Sequence, residues 1–217
     1  MTGRPTAAPL LVRLDGRRVV GVGGGRVAAG KLLPLAAESG ALVEVVSPAL
    51  DDRLAAVVTW HQRSYDGPAD LAGALLVVAA TDDAEVNARV AADAADLGVL
   101  CVRTDAEGQG SAAFPATVRH GPLTIAVGTD GRSPTVSRWL SAELAQTYGP
   151  EYGALVLLLG ELRRDPAIRA SLAPLTGDER RLAWRSIPLV DILALLRSGS
   201  VESAKEVAAA CLSSYSG

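Results

Sequence analysis

The first half of the chain alternates short apolar runs with segments of helical length. Runs rich in Val, Leu and Ala predict five strands, over residues 18–22, 41–46, 57–65, 74–80 and 99–103. Helices are predicted over residues 26–39, with a kink or break at Pro34, and over about 84–97. Nearly continuous apolar runs are typical of strands buried on both faces, so the pattern indicates βαβ units and a parallel sheet of the Rossmann type.

The pattern changes after about residue 114. Shorter strands separated by turns are expected to residue 127, with a break at His120-Gly121-Pro122. Ser133 and Pro134 suit the start of a helix over residues 133–148. Further helices are predicted near 151–164, 167–172, 177–185, 188–197 and 201–213. We therefore predict an α/β chain with a Rossmann-type domain over 1–114, a small α+β region over 115–149 and a helical domain over 150–217.

A glycine cluster follows the first predicted strand. Gly23, Gly25 and Ala28 fit the pattern G-x-G-x-x-A, in which the first glycine permits a tight turn and the second lets the backbone approach a pyrophosphate. The small third residue lets the helix pack closely on the sheet, and the helix N-terminus offers free N–H groups to phosphates. Because the cluster lies between a buried strand and a helix, it predicts dinucleotide binding, to which Arg26 adds a cation.

Two other predicted strand ends supply polar residues. Ser47 occupies the place where an acidic residue often grips the ribose, and no Arg or Lys beside it could meet a 2′-phosphate, which favours NAD over NADP. Thr81 and Asp82 form a polar lip after the fourth strand, where open sheets bind ligands, although either could also be a helix N-cap. The predicted cofactor-binding residues are Gly23, Gly24, Gly25, Arg26, Val27, Ser47, Pro48, Thr81 and Asp82.

Composition excludes several classes of function. A formal net charge of −3 argues against a nucleic-acid-binding surface. No apolar run reaches membrane-spanning length, and residues 1–9 lack the features of a secretory signal, so we expect a cytoplasmic protein. Cys101 and Cys211 match no disulfide or zinc spacing, which predicts two buried thiols and no bound metal.

An ordered set of motifs resembles one known family. It begins with P-L-L-V-R-L-D-G-R-R-V-V-G-V-G-G-G at residues 9–25 and A-A-T-D-D-x-x-V-N at residues 79–87. It continues with Thr104-Asp105, Phe114-Pro115-Ala116, G-P-L-T-I-A-V at residues 121–127, Ser133-Pro134 and Arg138. This set, over about residues 9–144, resembles the precorrin-2 dehydrogenase and sirohydrochlorin ferrochelatase family, which includes the N-terminal part of siroheme synthase.

The resemblance implies a homodimer, with residues 115–149 as its dimerisation region. It implies NAD⁺-dependent oxidation of precorrin-2 to sirohydrochlorin and, in some members, insertion of Fe²⁺ to give siroheme. A dehydrogenase without chelatase activity is the alternative within the family. A non-catalytic module that senses NAD and regulates a partner is the alternative from another class.

The resemblance also assigns the family's essential aspartate to Asp105. Oxidation of a reduced tetrapyrrole transfers a hydride to the nicotinamide and a proton to a base, and a carboxylate beside the cofactor can accept that proton. Asp82 and Glu107 are alternative bases. The substrate carries carboxylates, which guanidinium groups and a helix start can bind. The predicted substrate-binding residues are Arg103, Arg119, Ser133 and Arg138.

Overall fold

A computed structural model describes residues 7–106 and 108–214 of the chain. Its main sheet has five parallel strands: β1 (Arg18–Val22), β2 (Leu42–Val46), β3 (Thr59–His61), β4 (Leu76–Ala79) and β5 (Leu100–Arg103). Their order is β3-β2-β1-β4-β5, which confirms the predicted Rossmann-type sheet. The prediction of β3 over residues 57–65 is too long, because only three residues pair with β2.

Two helices accompany this sheet, α1 (Arg26–Glu38), which contains Pro34, and α2 (Ala84–Leu97). The N-cap of α2 is Asp83, whose carboxylate accepts hydrogen bonds from the backbone N–H groups of Glu85 at 2.8 Å and Val86 at 3.2 Å. The alternative in which Thr81 or Asp82 caps this helix is therefore wrong. Thr81 and Asp82 lie in the loop between β4 and α2.

Apolar side chains fill both faces of the sheet. Val19 belongs to a core cluster with Leu32, whereas Val20 belongs to a second cluster with Leu71 and Val90. Alternate residues of β1 thus point to opposite, equally buried sides. This burial on two faces explains why β1 is apolar along its whole length.

The chain forms two compact units. The first runs to Pro115 and takes in Gly128–Pro134, and the second comprises Ala116–Val127 and the described residues from Thr135 onwards. The second unit contains the antiparallel hairpin β6 (Ala116–His120) and β7 (Leu123–Val127). Its helices are α3 (Pro134–Thr147), α4 (Pro150–Leu162), α5 (Pro166–Leu172), α6 (Gly177–Arg185), α7 (Leu189–Arg197) and α8 (Val201–Ser214).

The second unit has its own core, centred on Leu162, Ile192 and Leu212. The predicted sequence of hairpin and helices is confirmed, and the proposed boundaries at residues 114 and 149 stay a prediction. Cys101 is buried as predicted, but Cys211 is partly exposed, with Sγ 3.4 Å from Ser186 Oγ. In the described part of the chain, no helix has the length and apolar character needed to cross a membrane.

Candidate cofactor and active site

The glycine loop lies between two neighbouring loops that leave no space for side chains. Gly23 has φ +102°, and a Cβ on it would lie 2.4 Å from the carbonyl oxygen of Ala80. A Cβ on Gly24 would lie 2.3 Å from the carbonyl oxygen of Ala49. Both contacts are far shorter than van der Waals distance, so the loop requires glycine here on structural grounds alone.

Gly25 is different, because nothing lies within 4 Å of the place its Cβ would occupy. It is the N-cap of α1, in extended backbone with φ −81° and ψ −173°. Arg26 and Val27 are exposed in the first turn, which holds no acidic residue that would repel a phosphate. The unfilled space above a helix N-terminus fits the pyrophosphate of a dinucleotide.

The segment after β2 packs against the glycine loop. Ser47 is buried, and its Oγ lies 3.1 Å from the Cβ position of Gly24. The Asp51 N–H donates to the carbonyl oxygen of Gly24 at 2.7 Å. Pro48 lies exposed on this segment. Ser47 thus packs against the glycine loop, and its contact with a cofactor stays a prediction.

Arg53 on the same segment is already paired. Its Nε and Nη2 donate to the two carboxylate oxygens of Asp51, each at 2.8 Å. These hydrogen bonds lower the pKa of Asp51 to about 2. The positive charge nearest in sequence after β2 is therefore neutralised.

Asn87 holds the strand end that faces the first glycine. It is fully buried, its Oδ1 accepts from the Thr81 N–H at 3.1 Å, and its Nδ2 donates to the Thr81 carbonyl oxygen at 3.0 Å. The Thr81 amide nitrogen lies 2.9 Å from the Cβ position of Gly23. Asn87 thus fixes Thr81 beside the glycine loop, while Asp82 is exposed. The sequence motif includes Asn87, but its spacing did not reveal this function.

Asp105 follows β5 and is held by Arg103. The guanidinium donates to both carboxylate oxygens, from Nη2 at 2.6 Å and from Nε at 3.2 Å. Its Nη1 donates to Gln109 Oε1 at 3.0 Å. The Arg103 side chain is 7 % exposed and that of Asp105 25 % exposed, so the arginine lies beneath the carboxylate.

This arrangement determines the charge of Asp105. The hydrogen bonds from Arg103 are the main reason that the pKa of Asp105 is lowered, and partial burial opposes them. The carboxylate is therefore ionised at neutral pH, as a proton acceptor must be. Arg103 was expected to bind substrate, but its fork is occupied by Asp105 and Gln109. Its geometry suits positioning of the aspartate.

The strand order brings these groups to one edge of the sheet. β1, β4 and β5 are adjacent and parallel, so Gly23, Thr81 and Asp105 all follow carboxyl ends. Neighbouring strands lie about 4.8 Å apart, which places the end of β5 roughly 10 Å from the end of β1. Open α/β sheets bind dinucleotides at this edge. The alternative base Glu107 lies outside the described residues.

The remaining predicted substrate residues are divided between the units. Arg119 on β6 and Arg138 on α3 are exposed in the second unit, whereas Ser133 belongs to the first. Their contact with substrate stays a prediction. Over residues 7–106 and 108–214, no three His, Cys, Asp or Glu side chains come together as metal ligands.

Comparison with known proteins adds independent findings. Residues 10–116 match a domain family described as putative NAD(P)-binding, which confirms the predicted cofactor class. Siroheme synthase 1 of Aeromonas salmonicida is 36% identical over 206 residues, which cover 92% of this chain and 43% of that protein. Siroheme synthase of Pseudomonas putida strain W619 is 38% identical over 184 residues, which cover 82% of this chain and 38% of that protein.

The chain thus spans less than half the length of these curated relatives. Among solved structures, the precorrin-2 dehydrogenase SirC aligns with a TM-score of 0.69 and 21% identity. The alignment covers 92% of this chain and 99% of SirC, so the fold is shared over nearly the whole of both chains.

Proposed function

We propose that this chain belongs to the family that includes the N-terminal part of siroheme synthases and that it oxidises precorrin-2 to sirohydrochlorin with NAD⁺ in siroheme biosynthesis. The match to a putative NAD(P)-binding family and the 36% and 38% identity to two siroheme synthases support this. The single observation that carries this proposal is an ionised carboxylate, Asp105, at the same edge of the sheet as the glycine loop. When bound, NAD⁺ supplies the hydride acceptor. The chain's own residues then have to hold the cofactor and remove one proton.

Asp105 is the proposed general base, and Arg103 is its positioning residue. The two-point contact with Arg103 fixes the orientation of the carboxylate, so that little reorganisation is needed when substrate binds. Because its pKa is low, Asp105 does not retain a proton for long. A side chain that is one-quarter exposed can pass the proton to water.

The segment after β2 supports a preference for NAD over NADP. A 2′-phosphate carries negative charge and is usually met by a free arginine or lysine. Here the Arg53 guanidinium donates from Nε and Nη2 to the Asp51 carboxylate. The backbone N–H of Asp51 in turn donates to the Gly24 carbonyl oxygen. We therefore expect the cofactor's ribose to meet the ion pair of Arg53 and Asp51, which has no net charge, and not a free cation.

The proposal includes a homodimer formed by the second unit. Its sheet has only two strands, and an isolated hairpin is marginally stable in water. The same unit exposes large apolar side chains, with Trp139 59% and Leu157 55% exposed. Burial of these side chains against a second copy would remove apolar surface from water.

Insertion of Fe²⁺ into sirohydrochlorin is the proposed second activity. Pyrrole N–H protons leave as the metal enters, and Asp105 is a carboxylate that can accept them. Iron is substrate in this step. Anaerobic incubation of the chain with sirohydrochlorin and Fe²⁺ tests it, and insertion no faster than without protein leaves a dehydrogenase alone. We also propose that the protein is located in the cytoplasm.

The proposed dehydrogenase is tested by absorbance at 340 nm in anaerobic mixtures of the chain, NAD⁺ and precorrin-2. Removal of a general base typically lowers a rate by about 10² to 10⁴. We therefore expect Asp105→Asn to reduce kcat by roughly that factor while the Kd for NAD⁺, measured by calorimetry, stays unchanged. Asp96→Asn, on an exposed carboxylate in the last turn of α2, is the matched control and should retain kcat. Unchanged turnover in Asp105→Asn refutes the assignment, and NAD⁺ binding without NADH formation by the natural chain favours the sensing module.

A further inference from the structure

A basic cavity belongs to the second unit, whereas the glycine loop and Asp105 belong to the first. Its volume is about 440 Å³, and it is open to solvent, since all of its lining residues except the half-buried Trp184 are exposed. Four arginines line it together with Gly177 and Trp184: Arg163, Arg180, Arg181 and Arg185. The chain as a whole has a net charge of −3, so this concentration of positive charge is local.

What distinguishes these arginines is that they line one cavity, since exposed arginines elsewhere, such as Arg26 and Arg169, also form no ion pair among the described residues. Arg18, Arg53, Arg63 and Arg103 each form an ion pair with a carboxylate. In the cavity, Arg181 alone has an acidic partner among the described residues, Asp178 at 2.6 Å. That pair is highly exposed, and exposed pairs contribute little free energy and are easily exchanged.

Nearby acidic side chains are occupied as helix caps. The Asp165 carboxylate accepts from the N–H groups of Ala167 and Ile168 at the start of α5. The Glu179 carboxylate accepts from the Thr176 N–H at 2.7 Å in a capping box at the start of α6. Both caps keep their negative charge, but neither forms an ion pair with the cavity arginines within the described residues. Arg163, Arg180 and Arg185 therefore have no direct carboxylate contact there.

Helix dipoles account for only part of the cluster. Arg163 follows the end of α4 and Arg185 lies in the last turn of α6, where a cation is favourable. Arg180 and Arg181 lie in the middle of the nine-residue helix α6, where the dipole has little effect. An anion bound among the four guanidinium groups would reduce the repulsion between them.

Two contacts hold the cavity in shape. The Arg163 guanidinium carbon stacks 5.0 Å from the ring centroid of Trp184, and Arg180 Nη1 donates to the Leu175 carbonyl oxygen at 2.9 Å. Arg185 has no such contact among the described residues. A ligand with two or more oxyanion groups can bridge several of these forks, since guanidinium binds carboxylate and phosphate bidentately. We propose that this cavity is a binding site for a small multivalent oxyanion, a function separate from the proposed oxidation.

Binding can be followed by the fluorescence of Trp184, which lines the cavity. Trp60 and Trp139 are the chain's other tryptophans, so the full-length variant Trp60→Phe/Trp139→Phe leaves Trp184 as the sole emitter. We would titrate it with pyrophosphate, with citrate and with acetate at low salt. The proposal expects saturable emission changes with pyrophosphate, citrate or both, and a much weaker response to acetate. The tighter of the two probes identifies phosphate or carboxylate as the ligand chemistry.

Arg185→Gln is the test variant, and Arg169→Gln, on an exposed arginine of α5 outside the cavity, is its matched control. We expect Arg185→Gln to raise the half-saturating concentration at least fivefold and Arg169→Gln to leave it unchanged. Calorimetry on the chain with its natural tryptophans repeats the comparison if the single-tryptophan variant folds poorly. Absence of saturation with both probes, or equal responses of the two arginine variants, overturns the proposal.

Discussion

At the residue scale, the central feature is the pair formed by Arg103 and Asp105. A carboxylate held by a neighbouring arginine commonly has its pKa lowered by about 1 to 3 units. Arg103→Gln removes that charge, so the pKa of Asp105 should rise. Asp105 acts only when ionised, and activity is lost as pH falls through its pKa. We therefore predict that the acid limb of kcat/KM for NADH formation moves to higher pH in Arg103→Gln.

This shift distinguishes positioning from substrate binding by Arg103. Loss of a substrate ligand would mainly raise KM and leave the acid limb in place. Arg13→Gln, on an exposed arginine near the start of the described residues, is the control and should leave the profile unchanged. An unmoved acid limb in Arg103→Gln contradicts the positioning function.

Cofactor preference is also determined by single residues. In Asp51→Asn, Arg53 loses its charged partner and becomes available to a 2′-phosphate. We predict that NADP⁺ binds roughly tenfold more tightly than to the natural chain, a change of about 1.4 kcal/mol, while NAD⁺ affinity changes little. Calorimetric titration with both cofactors measures this. Asp52→Asn removes an adjacent exposed charge and should alter neither Kd, and an unchanged NADP⁺ Kd in Asp51→Asn excludes this basis for selectivity.

Sequence reasoning identified Asp105 and the three glycines but missed the contacts that hold them. Residues i and i+2 of an extended chain lie on one face, so the spacing of Arg103 and Asp105 already permitted their pairing. The contact of Asp51 with Gly24 had no such signal, because it depends on how the loop after β2 turns. Hydrogen bonds that follow strand spacing can be predicted from sequence, whereas contacts between loops cannot.

At the element scale, the junction of β1 and α1 combines two glycines with different functions. Gly23→Ala would force a side chain into a left-handed conformation and against Ala80, which should destabilise the fold by about 1 to 3 kcal/mol. Gly25→Ala meets no protein atom, so the melting temperature should be unchanged. Its methyl group enters the space proposed for the pyrophosphate, and we predict NAD⁺ binding at least tenfold weaker.

Thermal unfolding and calorimetry of both variants check this contrast. Gly30→Ala is the control, since Gly30 also has open space around it but lies in the second turn of α1. Full NAD⁺ affinity in Gly25→Ala would place the pyrophosphate elsewhere.

Helix and strand ends illustrate why elements are easier to predict than their limits. Apolar runs located β1 and β4 well, because burial on two faces leaves a strong signal, whereas the exposed edge strand β3 was predicted too long. For the start of α2, the sequence suggested Thr81 or Asp82 as the N-cap, whereas the structure uses the next residue, Asp83. Asn87 binds Thr81, and Asp83 takes the cap. That choice depends on a buried side chain six residues away and could not be obtained from local propensity.

At the scale of the whole molecule, the two units have separate cores, and the second is expected to form the dimer. Trp139→Glu places a charge on an exposed apolar residue of α3, so it should not disturb the core of the unit. We predict that the natural chain elutes with twice its 22.3 kDa mass and that Trp139→Glu shifts toward the monomer, as measured by light scattering. Leu97→Glu, on a 46% exposed residue of the first unit, is the matched control and should remain dimeric. A monomeric natural chain, or a shift of equal size in the control, shows that this face of α3 does not form the interface.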